Sequence, residues 1–388
     1  MDRRTIYFDY NATTPLDPVV RDAMLPYLGE IFGNASSVHH VGRRARALLD
    51  DARDRMATLW SCKPSEVVFT SGGTESVNLA IFGSARQRKQ HGRHIVTSRI
   101  EHHAVLHACE YLARHEGFTV TYLPVDAAGR VQVDDLIQAL RPDTVLVTIM
   151  AANNETGAIQ PISQLGGICR ERGILFHTDA VQWFGKEPFR AIHQFNADLV
   201  SICAHKFHGP KGAGALFIRS PFHPDPILFG GGHENERRAG TENLAGIIGL
   251  TAAAERFIAD PVFPSASLET LTGRLVELIQ TLAPYGVSLR CPREQRLKNT
   301  VAFTVRGADS ISLLAGLDLE GVCASSGSAC SAGSLEPSHV MTALGVPLDE
   351  ANALVRLSLG RESTLEEVQL VERVLPEIIA RVQGHKMK

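Results

Sequence analysis

Between about residues 17 and 220 the sequence keeps switching its hydrophobic period. Short apolar runs fall at Glu66–Thr70, His94–Ser98, Thr144–Met150, Ile174–His177, Asp198–Cys203 and Ala215–Ile218. Between them, stretches with apolar residues at steps of three and four predict helices over 75–87, 101–114 and 161–172. Asp17 followed by Pro18 predicts an earlier helix start, with a capping side chain and a proline at the first helical position. Thr144–Met150 is almost uninterrupted in its apolar character, as a strand covered on both faces must be. Strands that alternate with helices of this length predict a mostly parallel sheet in an α/β domain.

The texture changes after about residue 258. Pro261 and Pro264 punctuate a linker, and a long amphipathic helix is predicted over 267–281. Strand-like segments follow at Thr300–Val305 and Val355–Leu359. A last helix is predicted over 364–382, with a kink or break at Pro376. The expected division is a large domain over 15–258. The expected smaller α+β domain joins residues 1–14 to 259–388.

Composition narrows the function classes. Thirty-nine basic against forty-two acidic residues leave a formal charge of −3, too balanced for a chain whose main task is gripping nucleic acid or an anionic membrane. The N-terminus lacks an apolar run of signal-peptide length. The apolar stretch from Ala245 to Ala254 is about half of the ~20 residues a membrane span needs. A cytoplasmic protein is expected. Seven cysteines at irregular spacing, with no CxxC, argue against a disulfide framework or an intrinsic metal site.

Three features sit at the ends of predicted strands, where open α/β sheets bind ligands. Ser71-Gly72-Gly73-Thr74-Glu75 is a small-residue turn that opens a helix and suits a bound anion. Asp179, in His177-Thr178-Asp179-Ala180-Val181-Gln182, places a carboxylate beyond a buried strand. Lys206, in Cys203-Ala204-His205-Lys206-Phe207-His208-Gly209-Pro210, is a lysine suited to Schiff-base chemistry. Each alone also fits something plainer: a turn, a helix cap, a solvated lysine. Together they supply a phosphate cradle, a partner for a pyridinium nitrogen and an imine-forming amine, which is what pyridoxal phosphate requires. Neither a P-loop nor a dinucleotide-binding glycine pattern is present. A fourth feature, residues 323–337, is small, polar and glycine-rich and carries Cys330, a candidate nucleophile.

At these residues the sequence resembles the cysteine desulfurases, class-V aminotransferase relatives among the fold-type I pyridoxal phosphate enzymes. The first group, of nitrogen-fixation and iron–sulfur-cluster type, is the best match. Asp9-Tyr10-Asn11-Ala12-Thr13-Thr14, Phe32-Gly33-Asn34-Ala35-Ser36-Ser37 and Arg356-Leu357-Ser358-Leu359-Gly360-Arg361 carry the likeness. So does Ser326-Gly327-Ser328-Ala329-Cys330, followed by Ser334-Leu335-Glu336-Pro337-Ser338-His339.

The resemblance implies a set of roles. Lys206 would carry the cofactor as a Schiff base and Asp179 would pair with its ring nitrogen. Asn154 and Gln182 would face the phenolic oxygen. His102 would stack on the ring and transfer a proton for Cys330. Gly73, Thr74, Cys203 and His205 would line the phosphate site, with Thr241 reaching the phosphate of a neighbouring subunit in a homodimer. Position 203 is serine in many relatives, so the cysteine here offers a weaker donor. Asn34 and Arg356 would hold the substrate carboxylate. The implied reaction takes sulfur from L-cysteine, leaving L-alanine and a persulfide on Cys330. An acceptor protein then receives that sulfur for iron–sulfur assembly or another thiolation, and Cys330 is a candidate transient iron–sulfur ligand. Alternative readings are a selenocysteine lyase, another carbon–sulfur lyase, an ordinary aminotransferase, or a catalytically idle scaffold.

Overall fold

The computed structural model describes residues 5–259, 263, 265–292, 294–327 and 337–384. In chain order its strands are β1 (Ile6–Tyr7), β2 (Val67–Thr70), β3 (His94–Ser98), β4 (Thr119–Leu123), β5 (Thr144–Thr148) and β6 (Leu175–Asp179). They continue as β7 (Leu199–Cys203), β8 (Gly214–Ile218), β9 (Val287–Leu289), β10 (Thr300–Val305), β11 (Val322–Cys323) and β12 (Leu354–Ser358).

Seven of these strands form one sheet in the order β2-β8-β7-β6-β5-β3-β4. Neighbours from β4 through β3, β5 and β6 to β7 are parallel. Only β8 runs the other way, antiparallel to both β7 and β2. The α/β expectation therefore holds. Strands β2, β3, β5, β6, β7 and β8 are buried at every residue. Helix Gly73–Arg88 packs against β5–β8. In its first turn it is pinned by Ser76, whose hydroxyl donates to Ala215 O at 3.1 Å and meets Ser201 Oγ at 2.9 Å. His177 continues this buried row, contacting Ser201 Oγ at 2.9 Å and Thr148 Oγ1 at 2.8 Å. Burial holds the His177 pKa down at about 3, so the row is neutral.

A second sheet, β12-β10-β9, is antiparallel. The N-terminal segment joins this side of the molecule. Strand β1 pairs in parallel with β11, Asp9 bridges to Ser358, and Tyr10 N donates to Ser358 O at 3.1 Å.

Several sequence expectations shift. Strand β6 extends to Asp179, so the carboxylate lies on the strand's last residue rather than beyond it. Helix Leu365–Val382 runs unbroken through Pro376, held by a capping box of Thr364 and Glu367 and by a buried face of Val368, Val371, Leu375, Ile378 and Ile379. Packing of that face outweighs the backbone bond that proline removes. Helix His40–Trp60 was not anticipated, although Ala45, Leu49, Ala52, Met56 and Trp60 mark its buried stripe. The half-exposed edge strand β4 also lacked a clear pattern. Among the described residues no helix is long and apolar enough to cross a membrane.

Candidate active site

The carboxyl ends of β2, β5, β6 and β7 open on a cavity of about 260 Å³. Gly73, Thr74, His102, Asn154, Asp179, Gln182, Cys203, His205, Lys206 and Arg356 all line it. These residues are scattered over nearly 300 positions of sequence, and parallel crossovers return each strand end to one rim.

The turn after β2 forms one side. Gly73 begins the helix, and a Cβ there would stand 2.8 Å from Val181 Cγ2, so a larger residue would force Val181 to shift. Opposite it, a Cβ on Gly214 would stand 2.7 Å from the Gly72 Cα. The first-turn amides thus lie at the cavity edge, at the positive end of a sixteen-residue helix. Glu75 ties this turn down, accepting from Ser71 N at 2.8 Å and Arg238 Nε at 2.7 Å. Burial alone would raise its pKa, but those partners outweigh burial and hold it below the usual carboxylate value.

Asp179 is 7% exposed, and its Oδ1 accepts from Val181 N at 3.0 Å. Burial pushes its pKa up to about 6, against the Val181 bond and the Lys206 charge. A carboxylate so placed gains from a cation in the cavity. Lys206 follows β7 on a single 3₁₀ turn, and its Nζ donates to Asn11 O at 2.7 Å and Ala12 O at 2.8 Å. Burial lowers its pKa, which favours the free amine. Cys203 is buried, and burial pushes its thiol up to about 11. His205 is pulled down to about 4 by burial and by Lys206.

His102 caps helix His103–His115, its Nδ1 accepting from Ala104 N at 3.1 Å. Burial, then the charge of Lys206, lowers its pKa to about 4. The ring is therefore neutral and carries its proton on Nε2, so it offers a donor and a flat face. Taking a proton from a thiol at Nε2 would first require that proton to leave. Behind it lies Glu101, fully buried, which accepts from Ser98 Oγ and whose two oxygens share the single Met150 N–H. Burial raises the Glu101 pKa to about 8.

Arg356 forms the other side and is 1% exposed. It donates to Asp9 Oδ1 at 2.6 Å, to Gly327 O at 2.7 Å and to Asn154 O at 3.0 Å, while its Nε has no partner among the described residues. Gly327 is the last described residue before 328–336, and Ser338 lies just beyond that segment. Ser338 Oγ donates to Glu155 Oε2 at 2.5 Å, and His339 Nε2 meets Glu101 O at 2.9 Å. Both flanks of the segment are thereby fixed beside the cavity. Cys330 itself lies outside the described residues.

Asn34 and Thr241 are not brought to this cavity. They share a separate cleft of about 580 Å³ with Arg46, Arg53 and His233. Sequence reasoning also assigned no role to Asn11 or Lys186. Asn11 is 1% exposed and bonds to both lysines, to Asn154 and to Thr300. Nothing in its local sequence marks it, because its partners are remote. Lys186 stands four residues past Gln182, a spacing that was available as a signal.

The chain belongs to the class-V aminotransferase family, whose profile matches residues 6–371. Its relatives place it among the cysteine desulfurases of that family. It is 47% identical to the cysteine desulfurase IscS of Dictyoglomus turgidum, over 98% of this chain and 96% of that one. It is 46% identical to the IscS of Methanosarcina thermophila, over 99% and 94%. A solved NifS-like protein superposes with a TM-score of 0.88 at 35% identity, covering 97% of this chain and all of that one. The structure of SspA in complex with cysteine matches with a TM-score of 0.81 at 36% identity, over 93% and 100%.

Proposed function

We propose that the chain uses pyridoxal 5'-phosphate bound in this cavity to take sulfur from L-cysteine. The residues present fit that group. Gly73 leaves the helix amides open to a phosphate, and Thr74, Cys203 and His205 surround the same corner. Lys206 and Arg356 bring two basic side chains to the cavity, with Asp179 on its wall and Asp9 bonded to Arg356, a balance that suits a ligand with a phosphate and a phenolic oxygen. The observation that carries the reading is the convergence of Asp179, Lys206 and the Gly73 turn on one rim.

In this reading Lys206 would hold the cofactor through its Nζ, and the same amine would move the Cα proton of the substrate. When bound, the cofactor supplies an electron sink for the substrate's Cα. Asp179 holds the ring nitrogen in its protonated form. His102 gives the ring a flat neutral partner and a donor at Nε2. Asn154 and Gln182 orient the phenolic oxygen. Arg356 receives the substrate carboxylate, exchanging a bond to a backbone carbonyl or to Asp9 for it. Cys330, as its thiolate, attacks the substrate sulfur; the carbon–sulfur bond breaks, and L-alanine and a persulfide on Cys330 result. An acceptor protein then takes that sulfur for iron–sulfur assembly or another thiolation.

A homodimer belongs to the same reading. Leu28, Phe32, Val38 and Phe229 are 69%, 79%, 86% and 83% exposed, an apolar set that a second copy would cover. Asn34 and Thr241 lie in a cleft on that side and would serve the partner's cavity. The domain division at residues 14/15 and 258/259 and a cytoplasmic location complete the proposal.

Replacing Cys330 with Ala tests it. The cofactor-loaded variant should keep its visible absorbance and lose persulfide formation from L-cysteine, measured together with alanine release. Full persulfide yield on another cysteine would reject the role of Cys330.

A further inference from the structure

Lys186 is buried at 5% exposure, in the turn after β6, and takes no part in the chemistry described above. Its Nζ donates to Gln182 Oε1 at 2.6 Å and to Asn11 Oδ1 at 2.6 Å. No carboxylate pairs with it among the described residues. The charged and titratable groups that face it are Lys206, Arg356, Cys203 and Asp9, and the Phe263 ring lies 5.7 Å from its Nζ. A lysine held in such a place needs a reason, since burial and two neighbouring cations all work against its charge.

The reason lies in the Gln182 amide. A glutamine side chain has one accepting end and one donating end, and the surrounding hydrogen bonds decide which faces where. The Lys186 amine directs its hydrogens at two oxygens, Gln182 Oε1 and Asn11 Oδ1, and so acts here as a donor to both. Lys186 therefore fixes Oε1 of Gln182 on its own side and leaves Nε2 on the other. There Nε2 spends one hydrogen on Asn11 O at 2.9 Å, beside the cavity that Gln182 lines. The second hydrogen of the amide remains to be offered to a ligand.

Asn11 makes the arrangement stiff. Its Oδ1 accepts from both Lys186 and Asn299 at 2.6 and 3.1 Å, and its Nδ2 donates to Thr300 Oγ1 and Asn154 O at 2.9 and 3.0 Å. The same residue's carbonyl accepts from Lys206 and Gln182. Flipping the Gln182 amide would break the bond from Lys186 to Oε1 and set the amide oxygen against the Asn11 carbonyl. The lost bond and the oxygen–oxygen contact would both fall in a poorly screened interior, where they cost most.

We propose that Lys186 is a positioning residue that locks the Gln182 amide with its N–H toward the cavity, making Gln182 an obligatory donor to the phenolic oxygen of the bound cofactor. The inference rests on the pyridoxal phosphate reading above and adds the residue that enforces it. Gln182 touches the ligand; Lys186 acts through Gln182.

The test is a double-mutant cycle on cofactor-loaded protein, using Lys186→Met, Gln182→Ala and the double variant. The readout is the pH midpoint of the visible absorbance of the cofactor joined to Lys206. A donor to the phenolic oxygen stabilises its anionic form and lowers that midpoint. We expect Lys186→Met to raise it by roughly one pH unit, Gln182→Ala to raise it by a similar amount, and the double variant to add nothing further. If Lys186 acts only by its charge, its effect persists undiminished beside Gln182→Ala, and the proposal is overturned. An unchanged midpoint in Lys186→Met overturns it as well. Should Lys186→Met fail to fold, Lys186→Gln keeps an N–H donor without the charge. A midpoint near the parent's then supports the proposal, and one shifted by a full unit rejects it. A parent protein with no absorbance trapped at Lys206 by borohydride reduction would overturn the cofactor reading itself, and this inference with it.

Discussion

The cavity has two unlike walls. One is built from the ends of the seven-stranded sheet: Asp179 on β6, Cys203 on β7, and Lys206 one turn further. The other is built from β12, the N-terminal segment and the residues that flank 328–336: Arg356, Asn11 and Gly327. On the sheet wall, burial sets the chemistry. It raises the pKa of Asp179 and lowers that of Lys206, and ladder bonds such as the Asp179–Ser201 pairing hold the groups in place. On the facing wall, hydrogen bonds set it, because Arg356 is already engaged with two carbonyls and Asp9. The sheet wall waits for charges it lacks, whereas the facing wall must exchange partners to take a ligand. Pre-formed electrostatics favours tight cofactor retention, and exchangeable donors favour a substrate that comes and goes.

Three substitutions sharpen that contrast. Lys206→Ala should have the largest effect, lowering alanine release from L-cysteine on the order of 10⁴-fold, because both the cofactor link and the proton carrier disappear. A loss of less than tenfold would move the chemistry elsewhere.

Asp179→Asn should come next, and it is read best as stability against pH in cofactor-free protein. The folded pKa of about 6 lies above the unfolded value of 3.8, so between them the folded state holds a proton that the unfolded chain has released. Stability therefore falls as pH rises through that window, and the deficit is complete above it. The asparagine variant should be more stable than the parent by about 3 kcal/mol at pH 7, with the difference closing below about pH 4. Urea denaturation at the two pH values checks this; equal offsets at both would mean that burial does not govern Asp179.

Arg356→Lys should have the smallest effect. It keeps a charge and loses the fork, which is worth about 1.5–3 kcal/mol for a charged hydrogen bond. KM for L-cysteine should rise roughly tenfold or more while the cofactor absorbance stays. Loss of cofactor with unchanged KM would place Arg356 on the wrong side of the comparison.

Much of the sheet wall was legible beforehand. Apolar runs announce β5, β6 and β7, and a charged residue at the end of such a run stands out against its surroundings. That is how Asp179 and Lys206 are found, and why the Gly72-Gly73 turn reads as a cradle. The facing wall was legible only through resemblance. Arg356 is a lone charge in a buried apolar strand, but its sequence does not say which site it meets, and Asn11 lies in a short N-terminal segment beyond a two-residue strand, β1. Lys186 does not stand out in the sequence, because a lysine is solvated unless the fold buries it.

Sequence alone determined the period of each element, the glycines that permit close approach at the cradle, and the chemical type of every group at the strand ends. These are local properties, fixed by side-chain shape and spacing. Tertiary structure alone decided that Asn11 joins Lys206, Lys186 and Thr300 in one network. It also decided that Asn34 and Thr241 face a different cleft from Asp179, and that His102 enters the cavity neutral with its Nδ1 already engaged. Such facts depend on which distant segments meet and how much water they exclude. Burial and hydrogen-bond partnership belong to the folded chain and have no counterpart in the order of its residues.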